Sequence, residues 1–216
     1  PTVCDPKTVK SLLDPATGKL YANYVLFTKK YFLGAVDRSE IYRELSAQVR
    51  RIKAAGVALT HIDSHQHMHM LPGITEIAIQ ICREEGICKS RTSDEGLFFT
   101  GGYPYTVGRY CGKTALSTFS IWAARKLKHA GIVCPDHFYG MLAGGNMQEQ
   151  YLSNILDILP EGVSEIMMHP GTDKARLVEA FGFDYNWQAE YLALLSANIQ
   201  AKINSGAIEK ISFREL

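Results

Sequence analysis

Four of the seven histidines in this 216-residue chain fall within nine positions, His61-Ile62-Asp63-Ser64-His65-Gln66-His67-Met68-His69. His61, Asp63, His65, His67 and His69 occupy every second position, so an extended backbone would turn all five to one side. A helix would stack only His61, His65 and His69, so the period alone does not choose between the two. Neutral imidazole is the commonest metal ligand, and mixed histidine/carboxylate sets suit zinc, manganese, cobalt, nickel or iron. His65 with Asp63 or His67 could hold one such ion. His61, nearest the apolar part of the segment, best suits a structural role.

Two further groups carry possible chemistry. His169-Pro170-Gly171 is a histidine followed by proline and a turn glycine, the kind of anchoring a general acid needs. Arg91 could form a surface ion pair with Asp94, or orient a catalytic carboxylate or a substrate oxygen. Asp136-His137 is a weaker signal, for which a structural role is the simpler reading.

The flanks supply the elements that must position these side chains. Ser39 is a good N-cap with Glu40 in the first turn, and Ile41, Leu45, Val49 and Ile52 mark an amphipathic helix that Gly56 stops. Residues 57–63 are short, apolar and partly β-branched, and predict a strand with the histidines at its carboxyl end. Leu71-Pro72-Gly73 breaks the chain before a helix over 74–85, stopped by Gly86. Further strands are expected at 87–91, 136–140, 164–168 and 208–213. Helices are expected over 114–129, 147–159 and 187–205, with a roughly helical aromatic segment over 21–32. Residues 1–20 read as irregular, with turn chemistry at Asp14-Pro15-Ala16-Thr17-Gly18, and 96–112 as a long Gly- and Tyr-rich loop. Strands alternating with helices predict an α/β protein with a parallel sheet. The polar residues recur at the carboxyl ends of the strands, where such folds assemble their sites. On this reading His65, His67, Arg91 and His169 open into one cleft.

Composition bounds the function. An apolar share of 46%, a charged share of 21% and a net charge of +1 describe an ordinary globular protein and give no argument for nucleic acid. No run of about 18 apolar residues predicts a membrane span. The five cysteines form no close metal-type pair and read as reduced thiols of a cytoplasmic protein. The chain opens Pro1-Thr2-Val3, with neither an initiator methionine nor a signal peptide.

The segment His61-Ile62-Asp63-Ser64-His65-Gln66-His67-Met68-His69 resembles the H-x-D-S-H-x-H-x-H motif of the YdjC/ChbG-like carbohydrate deacetylases. Ser11-Leu12-Leu13-Asp14 with Gly18-Lys19-Leu20, Arg91, Pro135-Asp136-His137-Phe138-Tyr139-Gly140 and His169-Pro170-Gly171 resemble other motifs of that family, in the same order. The resemblance implies one catalytic-type domain over 1–216, a distorted, incomplete (β/α) barrel of the glycoside hydrolase/deacetylase type. It implies metal-assisted removal of N-acetyl groups from amino sugars or short chitooligosaccharides. His65 then falls on a metal ligand, Asp63 and His169 on catalytic positions, and His67, Arg91, Asp94, His137 and Tyr139 on the substrate pocket. The family's Asp-Asp-Phe-Gly and Gly-x-His strand ends, which supply a base and the other ligands, have no counterpart here. The N-terminal strands are therefore expected to be missing. A divalent ion, Mg or Zn, is implied for the full-length protein and weak or no binding by this chain. Exposed barrel edges would favour a homo-oligomer. Two other readings stay open: another metallohydrolase, such as a phosphoesterase using Arg91, and a non-catalytic sugar-binding relative.

Overall fold

A computed structural model describes residues 2–216 and shows an α/β protein, rich in helix, whose chain forms two compact units. Of the described residues, the first comprises 2–91 and 125–133, the second 92–124 and 134–216.

In the first unit, α1 (Tyr24–Phe32), α2 (Arg38–Ala54) and α3 (Ile74–Glu85) are the principal helices. Asn23 caps α1 through its side-chain oxygen. The cap of α2 is Asp37, two residues before the expected Ser39, because the Asp37 carboxylate takes the Ser39 N–H at 2.7 Å. Ala55 and Gly56 end α2, Gly56 at φ 83°, and Gly86 ends α3 in the left-handed conformation, as their sequence positions predict. Gly73 opens α3 at φ 87°, and its N–H reaches Glu76 Oε2 at 2.7 Å. A Cβ there would stand 2.2 Å from the Tyr31 hydroxyl, so only glycine fits. The α2–α3 pair buries Ile41, Ile74, Ile77, Ala78, Ile81 and Cys82. Burial pushes the Cys82 thiol up to about 11, and all five cysteines are free.

Beside these helices, three chain segments run parallel. Ile62 bridges Ser90, and Lys89 bridges Val133. Ile62 N–H donates to Lys89 O and Arg91 N–H to Ile62 O, both at 3.1 Å, while Ser90 and Val133 complete the second pair. The strands expected over 57–63 and 87–91 are thus reduced to single ladder steps. Val57 is half exposed, so its end of the segment lacks the burial a longer strand requires. The turn at Asp14–Gly18 forms as expected, closing the Leu13–Leu20 bridge.

The second unit holds β1 (His137–Tyr139) and β2 (Ser164–Ile166), paired in parallel with His137 opposite Ser164 and Tyr139 opposite Ile166. Its helices are α5 (Glu149–Leu156), α6 (Lys174–Phe181), α7 (Trp187–Leu195) and α8 (Ala197–Ile203). α4 (Val107–His129) divides between the units at Ala124 and Arg125. Tyr139, Ala143, Met147, Leu152, Ile155, Ala193 and Ile199 form the core of the second unit.

Four expectations need correction here. α4 starts at Val107, so the loop read over 96–112 is helical at its end despite Gly108 and Gly112. The helix expected over 187–205 is two, because Ser196 adopts φ −62°, ψ 138° and caps α8 by accepting the Ile199 N–H. α6 has no counterpart in the expected elements, although Asp173 caps it and Gly182 ends it. The strand expected at 208–213 does not form. Its alternation rests on few apolar residues, Ile211 is exposed, and Ser212 turns the chain by binding Glu215. Among the described residues, no helix is long and apolar enough to cross a membrane.

Candidate active site

The histidine segment leaves the ladder at Ile62 and stays extended to Ser64, at φ −144°, ψ 152°. It then folds into 3-10 turns over His65–Met70, interrupted at Gln66 (φ 55°, ψ 27°) and His67 (φ 57°, ψ 26°). Five side chains on one face of a strand is therefore not the arrangement adopted. Two successive non-glycine residues in the left-handed region cost of order 1–3 kcal/mol each and persist only where the surroundings fix them. Ser64 does much of the fixing. Its carbonyl accepts the His67 N–H at 3.1 Å, and its hydroxyl accepts the His69 N–H at 2.9 Å.

His69 is the structural member of the segment. It is 3% exposed, with Nδ1 2.7 Å from Ser64 Oγ and Nε2 3.1 Å from the Arg91 carbonyl. A carbonyl only accepts, so Nε2 carries the proton, and the Ser64 hydroxyl donates to Nδ1. Burial pushes the His69 imidazole down to about 4, and it is neutral at physiological pH. The ring therefore pins the turn to the strand beside it. His61, read above as the structural one, is half-buried, with Nδ1 2.8 Å from Thr60 Oγ1. His67 is buried and His65 exposed.

Asp63 stands at the end of the ladder, where Arg91 Nη1 holds its Oδ2 at 2.9 Å. The carboxylate is 43% exposed and the guanidinium 18%. Arg91 thus reaches from its strand to hold the Asp63 carboxylate.

The second unit carries the remaining candidates. Asp94, His137 and Tyr139 line one cavity of about 190 Å³, together with Gly96, Phe99, Asp136 and Phe138. Asp94 Oδ1 is buried there without a hydrogen-bond partner. Asp136 Oδ2 accepts the Val163 N–H at 2.9 Å, tying the start of β1 to that of β2. Next to this cavity, Glu95 is 1% exposed and accepts the N–H groups of Gly140, Met141 and Leu142 at 2.8, 3.2 and 3.1 Å. Burial pushes its carboxyl up, against the pull of those donors and of Lys113, whose Nζ lies 3.9 Å away. Lys113, pushed down by its own burial, donates to the carbonyls of Gly96, Leu97 and Phe99. This buried pair shapes the loop that follows β1.

His169 lies three residues past β2. Its backbone N–H donates to Glu190 Oε2, and its ring sits 4.9 Å from Tyr185 and 6.4 Å from Trp187, edge-on to both. Glu190, on α7, is fully buried and also accepts the Met147 N–H at 3.1 Å. Neither Glu190 nor Glu95 was singled out from sequence. A signal existed for the first: Glu190 is the lone acid in the apolar run Trp187–Leu195, where exposure would serve no packing purpose.

The family model for YdjC-like proteins matches residues 1–205. The chain belongs to the YdjC-like family. The match takes in the histidine turn, the Asp63–Arg91 pair, the cavity of the second unit and His169. Among curated proteins, this YdjC-like chain is similar to a carbohydrate deacetylase of Xenopus laevis, 33% identical over 159 residues, covering 64% of this chain and 50% of that one. It is also similar to carbohydrate deacetylases of Brevibacillus brevis, 28% identical over 82% of this chain and 61% of that one, and Danio rerio, 30% identical over 64% and 51%. The chain spans about half the length of the curated relatives it matches.

Proposed function

We propose that this protein is a hydrolase that removes N-acetyl groups from amino sugars or short chitooligosaccharides. Its relatives are named carbohydrate deacetylases, which supports the reaction class. The observation that carries the reading to this chain is His169. It is held at a strand end by a backbone hydrogen bond to buried Glu190, its ring 28% exposed beside Tyr185. A histidine fixed in this way can give a proton to the amine that leaves when an amide is cleaved. In the first unit, the family resemblance assigns a catalytic role to Asp63, whose carboxylate Arg91 orients. The cavity lined by Asp94, His137, Phe99 and Tyr139 offers acceptors and aromatic faces to a sugar ring. The incomplete (β/α) barrel remains part of this proposal, and each unit, taken by itself, contributes parallel pairing consistent with it.

The metal is a separate matter. Among the described residues, no three His, Cys, Asp or Glu side chains are grouped to hold an ion. The described residues do not fit a closed metal site. His65, exposed on the turn, is the residue we assign as a ligand, and the ion would be Mg or Zn.

The same lack of a three-ligand group favours a second reading, a sugar-binding relative without activity. Acetate release from chitooligosaccharides, measured with excess Zn or Mg, separates the two. The deacetylase reading expects acetate and an equal amount of new free amine. Sugar binding without acetate favours the second reading, and neither binding nor release overturns both.

A further inference from the structure

Glu190 Oε2, besides accepting the His169 N–H, faces His169 Nδ1 at 3.7 Å. That ring nitrogen is buried and makes no hydrogen bond in this structure. A buried polar atom left without a partner is costly, which favours its closing on the facing acceptor. Among the described residues Glu190 pairs with no lysine or arginine, so the imidazole is the one group at its face able to supply positive charge. Tyr185 and Trp187, edge-on to the ring, limit its rotation. With Nδ1 buried, the exposed part of the ring belongs to its other edge.

We propose that Glu190 is the positioning residue for His169, holding a proton on Nδ1 so that Nε2 faces the substrate. The proposal rests on the reading of His169 as proton donor. His169 first takes up a proton from solvent on Nε2. As the acetamide C–N bond breaks, its electron pair stays with nitrogen, and the imidazolium gives that Nε2 proton to it. A neutral imidazole remains, its one proton on Nδ1 toward Glu190. Without the carboxylate the neutral ring is free to place that proton on Nε2, where it faces water, and the returned tautomer is wrong for the next cycle.

The test reads the tautomer directly. Nitrogen-15 NMR of the ring in the 216-residue chain, assigned by the signal lost in His169→Ala, is expected to show Nδ1–H at neutral pH. Glu190→Gln, which keeps the shape and removes the charge, is expected to move the proton to Nε2. Nε2–H in the wild type, or an unchanged tautomer in Glu190→Gln, overturns the assignment. Should Glu190→Gln not fold, Glu190→Asp keeps the charge and is expected to keep Nδ1–H; Nε2–H in that variant overturns the proposal equally. The tautomer needs no turnover, so it decides the Glu190 assignment even if no acetate is released and the deacetylase reading falls. In the acetate assay, Glu190→Gln is expected to lower kcat by about ten-fold or more, without exceeding the loss of the general acid itself, about 10²–10⁴-fold. KM should hold. An unchanged kcat, or a loss confined to KM, overturns the positioning role.

Discussion

Acidification should destabilise the first unit through His69, by an amount the structure sets. The folded ring titrates at about 4, against an ordinary value of 6.5 in the unfolded chain. The folded value is the lower one, so the unfolded state holds more protons between the two, and stability falls as pH drops from 6.5. Each unit of separation is worth about 1.4 kcal/mol, giving a loss of about 1.4 kcal/mol by about pH 5.5, about 2.6 by about pH 4.5, and about 3.4 in the limit. The neutral form is required because Nε2 must donate to the Arg91 carbonyl while Nδ1 accepts from Ser64. Urea unfolding across this range measures the loss. Carboxylates titrate in the same range, so the comparison is with His69→Gln, which lacks the imidazole. That variant is expected to be less stable at neutral pH and to show a shallower slope between pH 6.5 and 4 by the amounts above. Parallel stability–pH curves for the two proteins would refute the buried neutral ring.

Three other outcomes follow from the same geometry. Glu95→Ala leaves the N–H groups of Gly140, Met141 and Leu142 without their acceptor and Lys113 without its counter-ion, and should cost about 3–5 kcal/mol, read as a lowered melting temperature. Asp63→Asn breaks a partly exposed pair, so stability should change by less than about 1 kcal/mol while acetate release falls sharply. Divalent metal should bind weakly, because affinity depends on ligand number and geometry and no group of three is assembled among the described residues. A tightly held, stoichiometric ion by elemental analysis would show that Asp63 or His67 completes a site with His65.

Local signals made much of the fold legible. Gly56 and Gly86 ended α2 and α3, the Asp14–Gly18 turn formed, and the β1 and β2 cores fell inside their expected ranges. What sequence could not supply was pairing. Strand length depends on a neighbour and on burial, so 57–63 and 87–91 shrank to single steps and 208–213 did not form. The period of two in the histidine segment was equally ambiguous. It described a strand only as far as Ser64, beyond which the Ser64–His69 hydrogen bonds impose left-handed turns at Gln66 and His67. Side chains that act through buried contacts were the hardest to see. His69 looked like one more histidine of a polar cluster, and Glu190 like one acid on a helix, until their partners were placed.

The central claim is that His169 donates the proton in N-deacetylation. The most direct measurement is acetate release from a chitooligosaccharide by the wild type and by His169→Ala, at one excess concentration of Zn or Mg. The account predicts release by the wild type and a loss of about 10²–10⁴-fold in the variant, with sugar and metal binding retained. Equal rates in the two proteins would contradict it.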